Sequence, residues 1–287
     1  MILGINGILA GKGADTDALA FITAANITDT TQKSAITQLV SDLKSANIWT
    51  KMKAIYPFVG GTASSHRFNL KAPTTNASDF YLTFNGGWTH SSTGAKPNGT
   101  NAYAETNFVV KNNLDYTSLL HFSYYSRTNT TLSTNPPYRY DMGVECYNGA
   151  TYVGGAGLNI RRSDKSTFWI AAFGLQVAYS FSGSTNTANS LGLFIGNTTA
   201  TNTKIIKNNT TLIQNQGASS SAYDLMNSLA TSSVWIGTLN EPNYVAQNRF
   251  TDKEAAFISI GWGLTDSELT SLYNAVQTYQ TTLGRQV

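Results

Sequence analysis

Cysteine is almost absent from this chain. Cys146 is the only one in 287 residues, which excludes an internal disulfide. Placed in "MGVECYNG", between alternating residues of an expected strand, it reads as a small buried hydrophobe, since a nucleophilic thiol would need a histidine brought beside it. Charge is scarce too: Asp, Glu, Lys and Arg make up 12% of the chain, about half the usual share. Solubility must then rest on Asn, Thr, Ser and Gln. The net charge of +3 is small and spread out, densest at Arg161, Arg162 and Lys165 and at Lys204 and Lys207. A nucleic-acid-binding face gathers its cations, so composition predicts no nucleic-acid partner. No long apolar run occurs. "MILGINGILAGKG" has no basic start and is broken by Gly4, Asn6 and Gly7. It predicts neither a membrane span nor a secretory signal, and so a chain that stays in the cytoplasm where it is made.

Catalytic motifs are equally thin. The three histidines, His66, His90 and His121, lack metal-ligand spacing, and no G-x-S-x-G elbow is present. "NGILAGKG" fails as a phosphate loop, because Asn6 and Gly13 stand where glycine and Ser/Thr are needed. None of the five glutamates sits in an E-x-D-x-E run of the kind that lines a glucanase cleft. Asp141 and Glu145, four apart in "DMGVE", would share a strand face but lie roughly 13 Å apart, too far for glycosidase carboxyls. The chain is therefore read as non-enzymatic and without a cofactor. A structural calcium ion held by loop Asp and Asn, Asp224 and Asp252 among them, stays open because such sites need no tight motif.

What is present is strand pattern and aromatics. Two short helices come first. One is expected to bury Leu19, Ile22 and Ala25. The other runs through Ile36, Leu39, Val40 and Leu43, with Asp29 as N-cap and Gln32 completing a capping box. From about Lys53, short runs rich in Val, Ile, Tyr, Phe and Thr alternate with Gly, Asn, Ser and Thr clusters, a dozen or so strands in all. In "SLLHFSYYS", Leu120, Phe122 and Tyr124 share one face, and His121 and Ser123 the other. Asn208-Asn209 reads as a tight hairpin turn. A last helix starts at a Thr265/Glu268 capping box and ends at Gly284, which suits the left-handed position after a helix. This spacing predicts a two-sheet sandwich. Segments 1–14 (attachment), 15–74 (helical element and linker strand) and 75–287 (sandwich with C-terminal helix) are the expected divisions.

Sugars are bound by aromatic faces with a few placed polar groups. Trp88, His90, Tyr138, Tyr140 and Tyr244 sit in loop-like or loop-edge contexts and are the candidate binding residues. "GGWTHSSTG", with Trp88 and His90, could equally be a packing joint between the helical part and the sandwich. Tyr103, in what reads as the opening strand, is expected to pack inward, and Trp169, Trp235 and Trp262 are expected in the core.

Three passages, in the right order, resemble a concanavalin A-like, laminin-G-type jelly roll. They are "PNGTNAYAET", "KIIKNNTTLIQ" and "FISIGWGLTDSELTSLY", with Asn98, Gly99 and Tyr103 in the first and Gly263, Leu264, Thr265, Glu268, Leu269, Leu272 and Tyr273 in the last. Pro97, Ile206 and Asn209 depart from that pattern. Longer stretches, "IWTKMKAIYPFVGGTASSHRFNLK", "FNGGWTHSSTGAKPNGTNAYAET" and "AFISIGWGLTDSELTSLYNAVQTYQTTLGRQV", resemble virion proteins of tailed bacteriophages, including phages of Bacteroidota. The resemblance implies a mainly β protein, an antiparallel jelly-roll sandwich with a short N-terminal helical element and a C-terminal helix, on the head or tail of a virion. Its partners would be other virion proteins and sister copies, a homotrimer by analogy with fibres. Its role would be multivalent attachment to glycans, pure decoration, or, as a third alternative, polysaccharide cleavage. The resemblance carries over no catalytic or ligand residue.

Overall fold

A computed structural model describes residues 15–114, 119–130, 139–148, 151–173, 185–216, 232–241 and 249–287. The chain folds as two eight-stranded sheets packed face to face, with helices on the outside of one of them. The first sheet holds β1 (Met52–Tyr56), β3 (Trp88–Ser91), β4 (Gly94–Pro97), β6 (Leu120–Ser126), β11 (Gly192–Thr198), β12 (Asn202–Lys207), β13 (Thr210–Gln216) and β16 (Ala255–Gly261). Its order is β13-β12-β11-β6-β16-β4-β3, and β1 also pairs with β16. The second holds β2 (Thr83–Asn85), β5 (Tyr103–Glu105), β7 (Met142–Asn148), β8 (Thr151–Asn159), β9 (Ser166–Phe173), β10 (Thr185–Asn186), β14 (Trp235–Ile236) and β15 (Leu239–Asn240). Its order is β10-β9-β8-β7-β14-β5-β2, with β15 parallel on β7 and the other pairings antiparallel. The fold is the expected mainly β sandwich.

The first sheet is buried on both faces, and its strands show it. Inward, Phe122, Tyr124, Phe194, Ile205, Ile258 and Ile260 meet Met142, Val144, Ala156, Leu158 and Ile236 of the second sheet. Outward, Tyr125, Leu193, Ile195, Ile206 and Phe257 meet helices α1 (Thr16–Ala24), α2 (Thr30–Ser45) and α5 (Asp266–Thr282). Hence "AAFISIG" is a continuous buried run with no polar alternation. The helices lay Ala35, Ile36, Leu39, Val40 and Leu43 of α2 and Leu269, Leu272, Ala275, Val276 and Tyr279 of α5 on that surface. Each large apolar side chain buried there is worth about 1.5–3 kcal/mol against exposure. In α1 the expected stripe is rotated: Ala18 and Phe21 are buried, while Leu19 is 46% exposed.

Local signals account for the ends. Asp29 caps α2 by accepting from Gln32 N at 2.8 Å, but the Gln32 side chain accepts from Gly60 N and does not close a box. The Thr265/Glu268 box closes fully. Asn208 and Asn209 take positive φ (46° and 63°) and turn β12 into β13. Gly284, at φ 64°, reverses the chain after α5 and sends Arg285 back under the helix.

Candidate functional site

Trp88 and His90 form a joint. The Trp88 indole N–H donates to the carbonyls of Asn85 (3.1 Å) and Tyr103 (3.2 Å), so its polar edge is spent inside the protein. Its ring lies on His90 (25° between planes) and edge-on to Phe84. A Cβ on Gly237 would come within 3.2 Å of it. The His90 Nδ1 is 3.0 Å from the Nδ1 of His66, a buried residue of α3 (Ala63–His66). One imidazole donates and the other accepts, so the pair is neutral or singly charged. These contacts tie the segment after β1 to the edge where the two sheets meet. Both Trp88 and His90 remain part-exposed.

Tyr138 and Tyr244 lie outside the described residues, as do Asp224 and the Cys146 and Trp169 side chains. Tyr140 is buried. Its N–H donates to the Arg249 carbonyl at 3.1 Å, and its ring covers Gly157, where a Cβ would come within 3.0 Å of the ring.

Asp141 and Glu145 part company. Asp141 is fully buried at the end of the core. It accepts from Ile160 N (2.6 Å) and the Thr251 hydroxyl (2.7 Å), with the buried Lys253 ammonium 3.4 Å away. Burial raises its pKa against the pull of Lys253. Glu145 instead projects on the opposite, outer face of the second sheet, away from Met142 and Val144. There β15 runs parallel to β7, Leu239 beside Gly143 and Asn240 beside Val144, so Glu241 comes level with Glu145. The two carboxyls are hydrogen-bonded, and Arg249 pairs with Glu241. Burial first, then the Glu145 charge, pushes Glu241 up to about 7 despite Arg249.

The same outer face carries an aromatic pair that the sequence reading turned inward. Ala104 of β5 and Ile236 of β14 point into the core, so Tyr103 and Trp235 point out. Their rings stack at 4.2 Å and 18°, both part-exposed, while the Trp235 indole nitrogen itself is buried, with no hydrogen-bond partner among the described residues. Trp235 sits opposite Gly143, one strand step from Glu145. Period-two alternation in "AYAE" and "SVWI" was the available signal. Of the expected candidates among the described residues, Tyr140 lies beside this group through Glu145, Glu241 and Arg249, and Trp88 adjoins it through the Tyr103 carbonyl. Trp262 is part-buried against the core. Among the described residues, no group of three or more His, Cys, Asp or Glu is placed to hold a metal ion, and no helix is long and apolar enough to cross a membrane.

These titrating groups set a pH response. Burial lowers His66 to about 3 and His121 to about 4, from 6.5 unfolded. A base with a depressed folded pKa loses stability as pH falls below its unfolded value, about 2 kcal/mol each by pH 5. Glu241 works oppositely: raised to about 7 from 4.5, it adds stability as pH falls from 7, about 2 kcal/mol by pH 5. The carboxylates with lowered pKa (Asp15, Asp164 and Glu268) act only below this window. The loss between pH 7 and pH 5 should therefore be about 2 kcal/mol larger in Glu241→Gln than in the parent chain. Urea unfolding of both proteins at both pH values measures this, and equal losses would refute the assignment.

No protein-family model matches the chain, and no curated protein matches it in sequence. Solved structures do. A mutant Trypanosoma rangeli sialidase displaying trans-sialidase activity matches 86% of this chain and 39% of its own, at 10% identity and TM-score 0.52. Trypanosoma rangeli sialidase in complex with sialic acid matches 84% of this chain and 38% of its own, at 9% identity and TM-score 0.50. The chain spans about two fifths of the length of these sialidases, and the likeness is one of fold.

Proposed function

We propose that this chain is a non-enzymatic glycan-binding protein displayed on the particle of a tailed bacteriophage, and that it contacts saccharide through the outer face of its second sheet. The carrying observation is the stacked Tyr103–Trp235 pair, part-exposed beside Glu145 and Glu241. The first sheet has no comparable face, because the helices occupy it. The virion placement rests on the resemblance of the N- and C-terminal stretches to phage virion proteins. Head or tail fibre, weak individual sites and many copies suit such a surface, since avidity multiplies weak affinities.

The acid pair favours binding over cleavage. Glycosidase carboxyls stand about 5 Å apart or more, leaving room for the glycosidic bond or a water. Glu145 and Glu241 touch each other through a hydrogen bond. One observation supports a second reading, depolymerisation: an acid near 7 is what proton donation at neutral pH requires.

The full chain, arrayed multivalently, should bind a subset of immobilised glycans, and Trp235→Ala should weaken this at least about tenfold, or about 1.4 kcal/mol. Absence of binding at high valency would leave a decoration subunit. New reducing ends on incubation with host capsule, lost in Glu241→Gln, would make it an enzyme.

A further inference from the structure

A second group of side chains lies around β1 and shares no residue with the second sheet's outer face. Asn69, 1% exposed, clamps it. Its side-chain oxygen accepts from Ile55 N (2.9 Å) and Lys71 N (3.1 Å), and its amide donates to the carbonyls of Lys53 (3.2 Å) and Asp79 (3.0 Å). The clamp ties the backbones of Lys53 and Lys71 to one side chain. Each ammonium lies on an indole face: Lys53 is 4.2 Å from the Trp262 ring centre and Lys71 is 3.8 Å from that of Trp49. Lys71 also donates to the Trp49 carbonyl at 2.9 Å. The other charges nearby are already matched. Asp15 and Asp17 hold Lys44, and Glu268 holds Lys51. The Asp79 carboxylate accepts from the Thr74 hydroxyl. Neither Lys53 nor Lys71 has an ion-pair partner among the described residues.

We infer that Lys53 and Lys71, seated on Trp262 and Trp49, form a binding site for an acidic glycan, a sugar polymer whose closely spaced carboxylates bridge the two ammoniums. Asp17 pulls on Lys71 from a distance but is held by Lys44, so the two ammoniums still repel each other, and an anion placed between them removes that repulsion. The stems are already held by the rings and the Asn69 clamp, so little side-chain freedom is lost on binding. Burial first, and more weakly Lys44 and Lys53, hold Lys71 down to about 8 against the pull of Asp17, and a bound anion would raise it. A single-stranded nucleic acid fits less well, because the indole faces on which bases would stack carry the ammoniums.

The test uses the full chain with polygalacturonate as probe and dextran as the uncharged control. Polygalacturonate should bind at low salt and weaken as salt is raised, and dextran should show no such salt-dependent binding at this site. The double variant Lys53→Gln/Lys71→Gln should lose at least about tenfold in affinity with an unchanged thermal midpoint. Lys53→Arg/Lys71→Arg should keep the binding, and Trp235→Ala should not affect it, which separates this site from the glycan face proposed above. Failure to bind polygalacturonate, or binding undiminished in the double Gln variant, would overturn the inference. So would a single-stranded oligonucleotide that binds the same lysines more tightly than polygalacturonate.

Discussion

Replacing Arg285 with alanine should destabilise the fold by about 3–5 kcal/mol, the largest effect expected of any side chain near a terminus. Arg285 is 2% exposed. Its guanidinium donates to the carbonyls of Phe58 (2.8 Å), Ala256 (3.1 Å), Pro57 (3.3 Å) and Thr93 (3.4 Å), and to the Gln280 side-chain oxygen at 3.0 Å. These acceptors come from the segment after β1, from the turn before β4, from β16 and from α5. Phe58 is held at φ 47°, a region that a bulky side chain rarely occupies, and Arg285 binds its carbonyl. Truncation would leave several buried carbonyls without donors, each costing about 1–3 kcal/mol unless water enters. Lysine should not substitute, because one ammonium cannot reach four diverging carbonyls from one rotamer. Urea unfolding at neutral pH reads the result. A loss below about 1 kcal/mol for Arg285→Ala would show that the terminal residues merely decorate the fold.

The elements were largely legible from the chain; the faces were less so. Asp29 and the Thr265/Glu268 box mark helix starts because a capping side chain lies within three residues of the N–H it serves. Asn208-Asn209 marks a turn because the conformational demand is local. Sheet-to-sheet relations are not local. Tyr103 and Trp235 alternate visibly with core residues, but sequence alone does not say which side of β5 and β14 meets the other sheet. Leu19 and Phe21 stand on nearly opposite sides of α1, so turning the helix about its axis exchanges which of them is buried. Glu145 looked isolated because its partner, Glu241, arrives on a short parallel strand from much later in the chain. The same holds for His66 with His90 and for Lys53 with Lys71: each pair needs the segment after β1 to fold back along the sheet. The expectation that Asp141 and Glu145 share a strand face failed, because Asp141 precedes β7 and turns into the core while Glu145 lies on the outer face.

That buried Asp141 leads to the second large effect. Lys253→Met should cost about 3–5 kcal/mol at pH 7, because it removes one member of a buried ion pair and leaves the other. Lys253 is 1% exposed and Asp141 is 0% exposed. The ammonium is 3.4 Å from Asp141 Oδ1 and also donates to the Thr251 hydroxyl at 3.4 Å. Even with Lys253 present, burial holds the Asp141 pKa above its ordinary value. Without the ammonium only the Ile160 N–H and the Thr251 hydroxyl favour the charged form, so the carboxyl should take up a proton on folding. A carboxyl with a raised folded pKa contributes stability at low pH that is lost as pH rises. The penalty in Lys253→Met should thus shrink by about 1.4 kcal/mol per unit as pH falls from 7 toward 5. Adding Asp141→Asn to Lys253→Met removes the stranded charge while keeping an acceptor for Ile160 N and Thr251, and should restore most of the loss at pH 7. Denaturant unfolding at pH 5 and pH 7 distinguishes the outcomes. A pH-independent penalty in the single variant would mean that Lys253 serves by packing its stem beside Tyr124, whose hydroxyl donates to the Lys253 carbonyl at 2.6 Å, and not by neutralising Asp141.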